Sequence, residues 1–281
     1  IVHFGDRECS VQRRNQKLVE VAPAPNLAPS LRERMTSAAV SFAQQEKYMS
    51  LGTFEFLVLN KGVEEDRLTG SATEDHFVFI EANARLQVEH TVTEEVTGFD
   101  LVRAQIAVAF GSSLTDLGLD AQAPPALSGF AIQARVNLET ITTDGGVRPG
   151  SGRLVRYEPP NGPGVRTDGF GYVGYKTSIA YDSLLAKVIV HERSSNFSDV
   201  ARKAIRALSE FHLEGARNNI SFLKNILSHE DFISGATHTR WIEEMVEQLT
   251  NKWQGPDYFM VTEAGGGAEG VSQGSSKRED P

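Results

Sequence analysis

Residues 79–90 read FIEANARLQVEH, and apolar and polar side chains alternate over residues 80–89. A period of two residues is typical of a β-strand, so the stretch predicts a strand with one apolar and one polar face. The polar face carries Glu81, Asn83, Arg85, Gln87 and Glu89. A solvated face of an antiparallel sheet is the simplest interpretation. Carboxylates, an amide and a guanidinium on one face also suit a binding site, and the rest of the chain has to decide between the two.

The bulk composition excludes several classes of protein. The chain has 281 residues, of which 40% are hydrophobic and 23% charged, as in an ordinary soluble protein with a core. A formal net charge of -9 argues against a nucleic-acid surface, and no apolar run approaches the ~20 residues that span a bilayer. We therefore predict a soluble protein without nucleic-acid or membrane partners, and leave cytoplasm, mitochondrion and plastid open as its compartment. Because the chain starts at Ile1, we expect a piece of a longer protein.

Hydrophobic spacing divides the chain into two units and a tail. In the first unit, the predicted elements are a helix from about residue 29, strands at 52–60 and 76–90, a polar loop at 61–75, and a helix at 100–111. Asp100 is the predicted N-cap of that second helix, and Gly111 the residue that ends it.

The second unit begins near residue 124 with short β-type runs between glycines and prolines. Its predicted elements are the runs at 130–140, 152–166 and 169–177, a buried strand at 181–192, and helices at 198–209, 218–227 and 237–249. Residues 261–281 are rich in Gly, Ser and Glu and predict a disordered tail or linker. The whole pattern predicts an α+β protein.

Glu55, Glu81 and Asn83 form a candidate cation site. They stand on the two predicted strands of the first unit, which one loop joins. Mg²⁺ takes oxygen ligands and is commonly held by one or two carboxylates together with nucleotide phosphates. Because exposed glutamates are common on strands, the pairing alone is weak evidence for a metal.

A candidate anion site lies farther along the same stretch. Arg85 offers a planar fork of donors, and Lys17 in the basic run QRRNQK offers a point charge. Glu89 at the end of the row could act as a general base on an acid bound there. Each cation taken singly is as easily explained as a solubility charge, but their order along the chain favours a site.

Five blocks of sequence together resemble the biotin carboxylase family, the ATP-grasp component of biotin-dependent carboxylases. They are GDRECSVQRRNQKLVEVAPAP, GTFEFL, FIEANARLQVEHTVTEEVTGFDLV, AIQARVN and YDSLLAKVIV, which follow in this order between Gly5 and about Glu244. The resemblance implies the distal part of an ATP-grasp domain at 1–113 and a biotin carboxylase C-terminal domain at 124–249, before the tail at 261–281.

The resemblance also implies roles for individual positions. Those that match ligands of the divalent ions of ATP, Mg²⁺ or Mn²⁺, are Glu55, Glu81 and Asn83. Those that match the bicarbonate site are Lys17, Arg85, Gln87 and the backbone of Val88. Glu89 matches the base that deprotonates bicarbonate, and Arg135 matches an arginine that stabilises the enolate of biotin. Those that match ATP contacts are Gln12, Asn15, Leu57, Glu55 and Glu81.

The implied reaction joins ATP and bicarbonate to carboxyphosphate, whose breakdown delivers CO₂ to N1 of biotin. Because the chain has no Met-Lys-Met motif, the biotin would come on a carrier domain, with a carboxyltransferase, in cis or in trans. A homodimer is a further expectation. The final carboxyl acceptor is not encoded in this stretch.

Two departures from the family pattern limit the expected activity. Family members often have His at the position of Asn15, which cannot carry a positive charge. The family's N-terminal domain, glycine-rich flap and ATP-contacting lysines precede the matched region, so we expect the chain alone to be inactive. Two alternatives stay open, namely another ATP-grasp ligase and a non-catalytic fragment that docks or dimerises.

Overall fold

The computed structural model describes residues 1–59, 76–178 and 180–258. The loop predicted at 61–75 and the tail predicted at 261–281 lie outside these ranges. Within them, no helix is both long and apolar enough to span a membrane.

The described chain contains both strands and helices. The strands are β1 (Gln12–Arg13), β2 (Gln16–Lys17), β3 (Val19–Ala22), β4 (Thr53–Leu59), β5 (His76–Asn83), β6 (Phe130–Asn137), β7 (Glu139–Ile141), β8 (Val147–Pro149), β9 (Arg156–Glu158), β10 (Val165–Gly169), β11 (Leu184–Glu192) and β12 (His212–Glu214). The helices are α1 (Pro29–Gln45), α2 (His90–Thr97), α3 (Leu101–Ala109), α4 (Phe197–Glu210), α5 (Ile220–Ser228), α6 (Glu230–Ser234) and α7 (Trp241–Leu249).

A four-stranded antiparallel sheet, in the order β10-β11-β6-β3, lies at the centre of the fold. One face of it carries Ile132 and Val188, which pack with Leu208 of α4 and Leu223 of α5 in the main core. These side chains are almost completely buried, and such burial is the largest favourable contribution to folding.

The opposite face of the sheet is half apolar and half polar. Its apolar part, Ala22, Ala131 and Ile189, lies under Val92 and Val96 of α2. Its polar part continues along the same strands, because side chains two residues apart share a face. The members of this polar part are Glu20, Gln133, Arg135, Lys187 and Asp168.

The central sheet draws its strands from both predicted units. β3 lies in the stretch 1–113, and it pairs with β6 of the stretch 124–249, with Val19 opposite Ala134 and Ala22 opposite Ala131. The two predicted units are thus separate along the sequence, but the backbone hydrogen bonds between β3 and β6 join them in one sheet.

β4 and β5 form a separate antiparallel pair with Glu55 opposite Glu81. Helix α1 packs on this pair through Phe42, whose ring lies 5.4 Å from that of Phe54 and 5.8 Å from that of Phe79. Both strands and the helix were predicted, and α1 begins at Pro29 as expected.

The prediction that one strand runs through residues 76–90 is wrong in its second half. β5 ends at Asn83, which lies opposite Thr53, the first residue of β4. In the described chain β4 therefore offers no further partner, and residues 84–89, called the site loop below, leave the strand. Helix α2 begins at His90 with Glu89 as its N-cap residue. The alternation of polar and apolar residues continues past Asn83 although these residues no longer pair with a strand, so the pattern did not mark the end of β5.

The remaining predictions differ in outcome. Asp100 caps α3 by accepting a hydrogen bond from the Arg103 amide at 2.7 Å, and the strand predicted at 181–192 is β11. α4, α5 and α7 correspond to the three predicted helices, although α7 starts four residues late. The run at 169–177 is wrong as a strand, since after β10 it forms only one bridge to any described residue, Lys176 with Arg153. Its glycines turn the backbone, with φ at Gly174 of +94°.

Candidate functional site

The strand pairing of β4 and β5 brings the three predicted metal ligands together. Asn83 donates from Nδ2 to Glu81 Oε1 at 2.8 Å and to Glu55 Oε1 at 3.3 Å. An amide also has an acceptor oxygen, so the three side chains offer the oxygen ligands that Mg²⁺ prefers. In the described ranges no group of three His, Cys, Asp or Glu residues is arranged for a metal. A cation here would therefore also need ligands from phosphate or water, as is usual for Mg²⁺.

Lys17 connects this carboxylate pair to the predicted base. Its Nζ lies 2.9 Å from Glu55 Oε1 and 2.8 Å from Glu89 Oε1. Burial by itself lowers the pKa of Lys17, but Cys9 and the carboxylates of Glu89 and Glu55 raise it, and the net shift is upward. Lys17 is therefore a permanent cation between two carboxylates.

Glu89 is almost completely buried, with 2% of its surface exposed. Burial raises the pKa of Glu89, but the hydrogen bond and charge of Lys17 and the charge of Arg7 outweigh burial and lower it. The second oxygen, Oε2, lies 3.2 Å from Arg135 Nη2. The N-terminus of α2, at which Glu89 stands, also favours a negative charge. Glu89 is thus an ionised carboxylate that two cations hold in place.

A buried carboxylate holds Arg135 from behind. Arg135 Nε donates to Glu20 Oε1 at 2.6 Å, and the other oxygen of Glu20 accepts from Gln133 Nε2 at 2.8 Å. Burial is the main reason that the pKa of Glu20 is raised, although Arg135 opposes the shift. We did not predict Glu20 from the sequence. A single charge inside the apolar run LVEVA was the signal that could have found it.

Arg7 holds Gln87 in the site loop and was also missed. Its Nη2 donates to Gln87 Oε1 at 3.1 Å and to Thr53 Oγ1 at 2.9 Å, and its Nη1 to Thr93 Oγ1 at 3.1 Å. Gln87 Nε2 in turn donates to Glu55 Oε1 at 2.9 Å. Gln87 is 7% exposed, so both ends of its amide are satisfied inside the site.

Some of the other predicted site residues line the same cavity as this cluster. This cavity has a volume of about 1580 Å³, and its lining includes Gln12, Lys17, Leu57, Arg85 and Glu89. Arg85 is exposed and donates to the carbonyl of its neighbour Leu86 at 3.2 Å. Asn15 lies in the turn between β1 and β2, with φ of +65°, and is not among the described residues that line the cavity.

Sequence models of two domains match successive parts of the chain. Residues 1–117 match the carbamoyl-phosphate synthase L chain ATP binding domain. Residues 133–244 match the biotin carboxylase C-terminal domain. The first part of the chain is therefore related to ATP-binding domains.

Similar proteins include pyruvate carboxylases and biotin carboxylase domains. Human mitochondrial pyruvate carboxylase is 45% identical over 248 residues, which are 88% of this chain and 20% of that protein. The biotin carboxylase domain of a single-chain bacterial carboxylase is 45% identical, with a TM-score of 0.78, and the match covers 88% of this chain and 53% of that one.

The biotin carboxylase domain dimer of Hydrogenobacter thermophilus 2-oxoglutarate carboxylase, solved with MgADP, ADP and bicarbonate, is 35% identical. Its TM-score is 0.75, and the match covers 88% of this chain and 50% of that one. The chain thus spans about half of these solved domains and a fifth of the curated relative. With its α+β fold, made of the distal part of an ATP-grasp domain and a biotin carboxylase C-terminal domain, the chain belongs to the biotin carboxylase family.

Proposed function

We propose that this chain forms the metal, bicarbonate and biotin side of a biotin carboxylase, an ATP-dependent ligase that carboxylates biotin with bicarbonate through carboxyphosphate. The observation that carries the proposal is the buried carboxylate of Glu89, which contacts Lys17 Nζ at 2.8 Å and Arg135 Nη2 at 3.2 Å. An ionised carboxylate beside donors for an anion is placed to accept a proton from an acid bound there. The solved relative that contains MgADP and bicarbonate supports the same choice of ligands.

In this proposal bicarbonate binds at the site loop. Lys17 supplies a point charge, Arg85 a planar fork, and Gln87 and the backbone of Val88 supply neutral donors. Glu89 accepts the proton of bicarbonate, and the resulting dianion attacks the γ-phosphorus of ATP while ADP leaves. Because Lys17 already lies between Glu55 and Glu89, its charge is positioned before the anion arrives.

Glu55, Glu81 and Asn83 provide the oxygen ligands for Mg²⁺ or Mn²⁺. The bound ion would neutralise charge on the phosphate oxygens of ATP. Gln12 and Leu57 line the cavity, and we assign them, with Asn15, to the nucleotide. As a neutral residue, Asn15 can donate a hydrogen bond there but adds no positive charge.

Arg135 acts on biotin in this proposal. Its guanidinium, fixed by Glu20, donates to the ureido oxygen on which negative charge develops as biotin enolises. Carboxyphosphate breaks down to CO₂ and phosphate, the released phosphate accepts the N1 proton of biotin, and N1 of the resulting enolate attacks CO₂. Arg135 therefore contacts two glutamates with different roles. Glu20 fixes its orientation, and Glu89 is the base that deprotonates bicarbonate in the preceding step.

The proposed organisation follows the relatives. We assign residues 1–113 and 124–249 to the two domains, supported by the matched ranges 1–117 and 133–244. Biotin comes on a carrier domain, and a carboxyltransferase domain uses the product, in cis or in trans. Relatives that include a single-chain carboxylase and a domain dimer support this arrangement and a homodimer.

The test is ADP release that depends on both bicarbonate and free biotin. It is measured with this chain alone, with the remaining half of a biotin carboxylase domain supplied, and with Glu89→Ala in the supplemented preparation. Glu192→Gln is the control, because Glu192, the last residue of β11, pairs with Lys203 of α4, away from the site loop in sequence and contacts. We expect turnover only in the supplemented preparation, its loss in Glu89→Ala, and its retention in Glu192→Gln.

Two outcomes would contradict the proposal. ADP release that depends on bicarbonate and on a carboxylate substrate other than biotin would favour a different ATP-grasp ligase. A well-folded supplemented preparation that binds a biotinylated carrier without hydrolysing ATP would favour a docking fragment.

A further inference from the structure

The site loop needs support from outside its own backbone. In the described chain no strand pairs with residues 84–89, and yet the loop carries most of the proposed bicarbonate site. Arg7 holds the Gln87 side chain from one side. From the central sheet, Lys187 Nζ donates to the carbonyl oxygen of Val88 at 3.1 Å.

Lys187 is well placed for this contact by the register of the sheet. It lies on β11, directly opposite Arg135 of β6 and Asp168 of β10. Its side chain is 12% exposed, and its Nζ lies 3.5 Å from Asp168 Oδ2. Burial is the main reason that the pKa of Lys187 is lowered, although Asp168 opposes the shift. A desolvated ammonium is costly, and the contacts with Asp168 and the Val88 carbonyl offset that cost.

A chain of charged groups anchors Lys187 to the helix that follows the loop. Arg166 donates to both oxygens of Asp168 at 2.8 Å, in the bidentate arrangement that fixes a carboxylate in orientation. Arg166 Nη1 also donates to Glu94 Oε2 at 2.8 Å. The other oxygen of Glu94 accepts the amide of Leu101 at 3.0 Å, at the start of α3. The sheet thus holds α2 at Glu94 and the loop at Val88.

We propose that Lys187 is a positioning residue for the bicarbonate site, which acts by fixing the Val88–Glu89 peptide through its contact with the Val88 carbonyl. This peptide precedes the proposed base directly and follows the Val88 amide, so its rotation would displace both. The inference rests on the proposed function for the identity of the anion, but not for the contact itself. An error of about 1 Å in such a group can cost up to about a hundredfold in rate.

The experiment compares Lys187→Met and Lys187→Arg with Lys203→Met. Lys203 is a matched control, because its Nζ also donates to a backbone carbonyl, that of His191 at 2.9 Å, and pairs with a carboxylate, that of Glu192 at 3.2 Å. The first measurement is hydrogen–deuterium exchange of the amides of residues 87–90. The second is the KM for bicarbonate and for ATP in the supplemented preparation.

We expect faster exchange at residues 87–90 and a KM for bicarbonate raised about tenfold in Lys187→Met, with the KM for ATP unchanged. Lys187→Arg should recover part of the loss, and Lys203→Met should match the wild type in both measurements. Equal behaviour of Lys187→Met and Lys203→Met would overturn the inference. If the wild type shows no bicarbonate-dependent turnover, the proposed function fails, and the exchange measurement still decides the role of Lys187. If Lys187→Met does not fold, Lys187→Gln, whose amide is too short for the carbonyl, replaces it.

Discussion

Glu20 stabilises the site through the hydrogen bonds that it accepts, and its truncation should show this. Glu20 is completely buried, and its two oxygens accept from Arg135 Nε at 2.6 Å and Gln133 Nε2 at 2.8 Å. Glu20→Ala would leave one buried donor, on Gln133, and one partly buried donor, on Arg135, without these acceptors. At about 1–3 kcal/mol for each unsatisfied group, the free energy of unfolding should fall by about 2–6 kcal/mol.

Glu20→Gln should be milder. Because burial raises the pKa of Glu20, the folded state does not stabilise the ionised form of its carboxyl group. The amide of Gln also keeps one acceptor oxygen at the same place. One donor still loses its acceptor and faces an amide NH₂ group instead, so the expected cost is that of one unsatisfied group, about 1–3 kcal/mol. Urea-induced unfolding followed by circular dichroism measures both variants against the wild type.

Glu139→Ala is the control that separates a general loss of stability from an effect on Arg135. Glu139 is also buried and accepts hydrogen bonds, from Asn137 Nδ2 at 3.2 Å and Ser183 Oγ at 2.8 Å. Its truncation should also destabilise the fold, but only Glu20→Ala should raise the KM for free biotin. Equal losses of stability in Glu20→Ala and Glu20→Gln would refute the reasoning from acceptors. An equal rise in the KM for biotin in Glu139→Ala would refute the specific link to Arg135.

Other expected outcomes follow from single contacts. The pKa of Glu89 is lowered from its ordinary value of 4.5, so the ionised carboxylate stabilises the fold above pH 4.5, and this contribution is lost as the pH falls through the lowered pKa. In Glu89→Gln the free energy of unfolding should therefore fall less steeply with decreasing pH than in the wild type. Asn83→Ala should raise the Mg²⁺ concentration needed for half-maximal ADP release about tenfold, whereas Asn225→Ala on α5 should leave it unchanged. Val92→Ala truncates a completely buried side chain of α2 that packs on the central sheet, and should lower the free energy of unfolding by about 1–3 kcal/mol in denaturant titrations. An unchanged Mg²⁺ requirement in Asn83→Ala, or a neutral Val92→Ala, would contradict these contacts.

Local signals predicted the elements whose limits depend on neighbours in sequence. α1 begins at Pro29, and α3 is capped by Asp100, because both effects act within one turn of helix. β11 was visible as an apolar run, since it is covered on both faces over most of its length. Glu55 and Glu81 could be paired because a single loop joins their strands.

The errors fell where a distant partner decides the structure. β5 ends because β4 begins at Thr53, on the other side of the pair, and the alternation within residues 84–89 does not record this. α2 was hidden by the β-branched residues Thr91, Val92 and Thr93, whose helical state depends on packing against the central sheet.

The sequence by itself determined the family, the α+β class and the identity of the metal, anion and base candidates, because these reside in residue types and in their order. Only the tertiary structure decided that Lys17 lies between Glu55 and Glu89, and that Glu20 and Lys187 stand around Arg135 on one face. β3 and β6 are more than a hundred residues apart in the chain, and their register places Glu20 beside Gln133. Such contacts depend on strand pairing across long loops, and local sequence patterns carry no record of them.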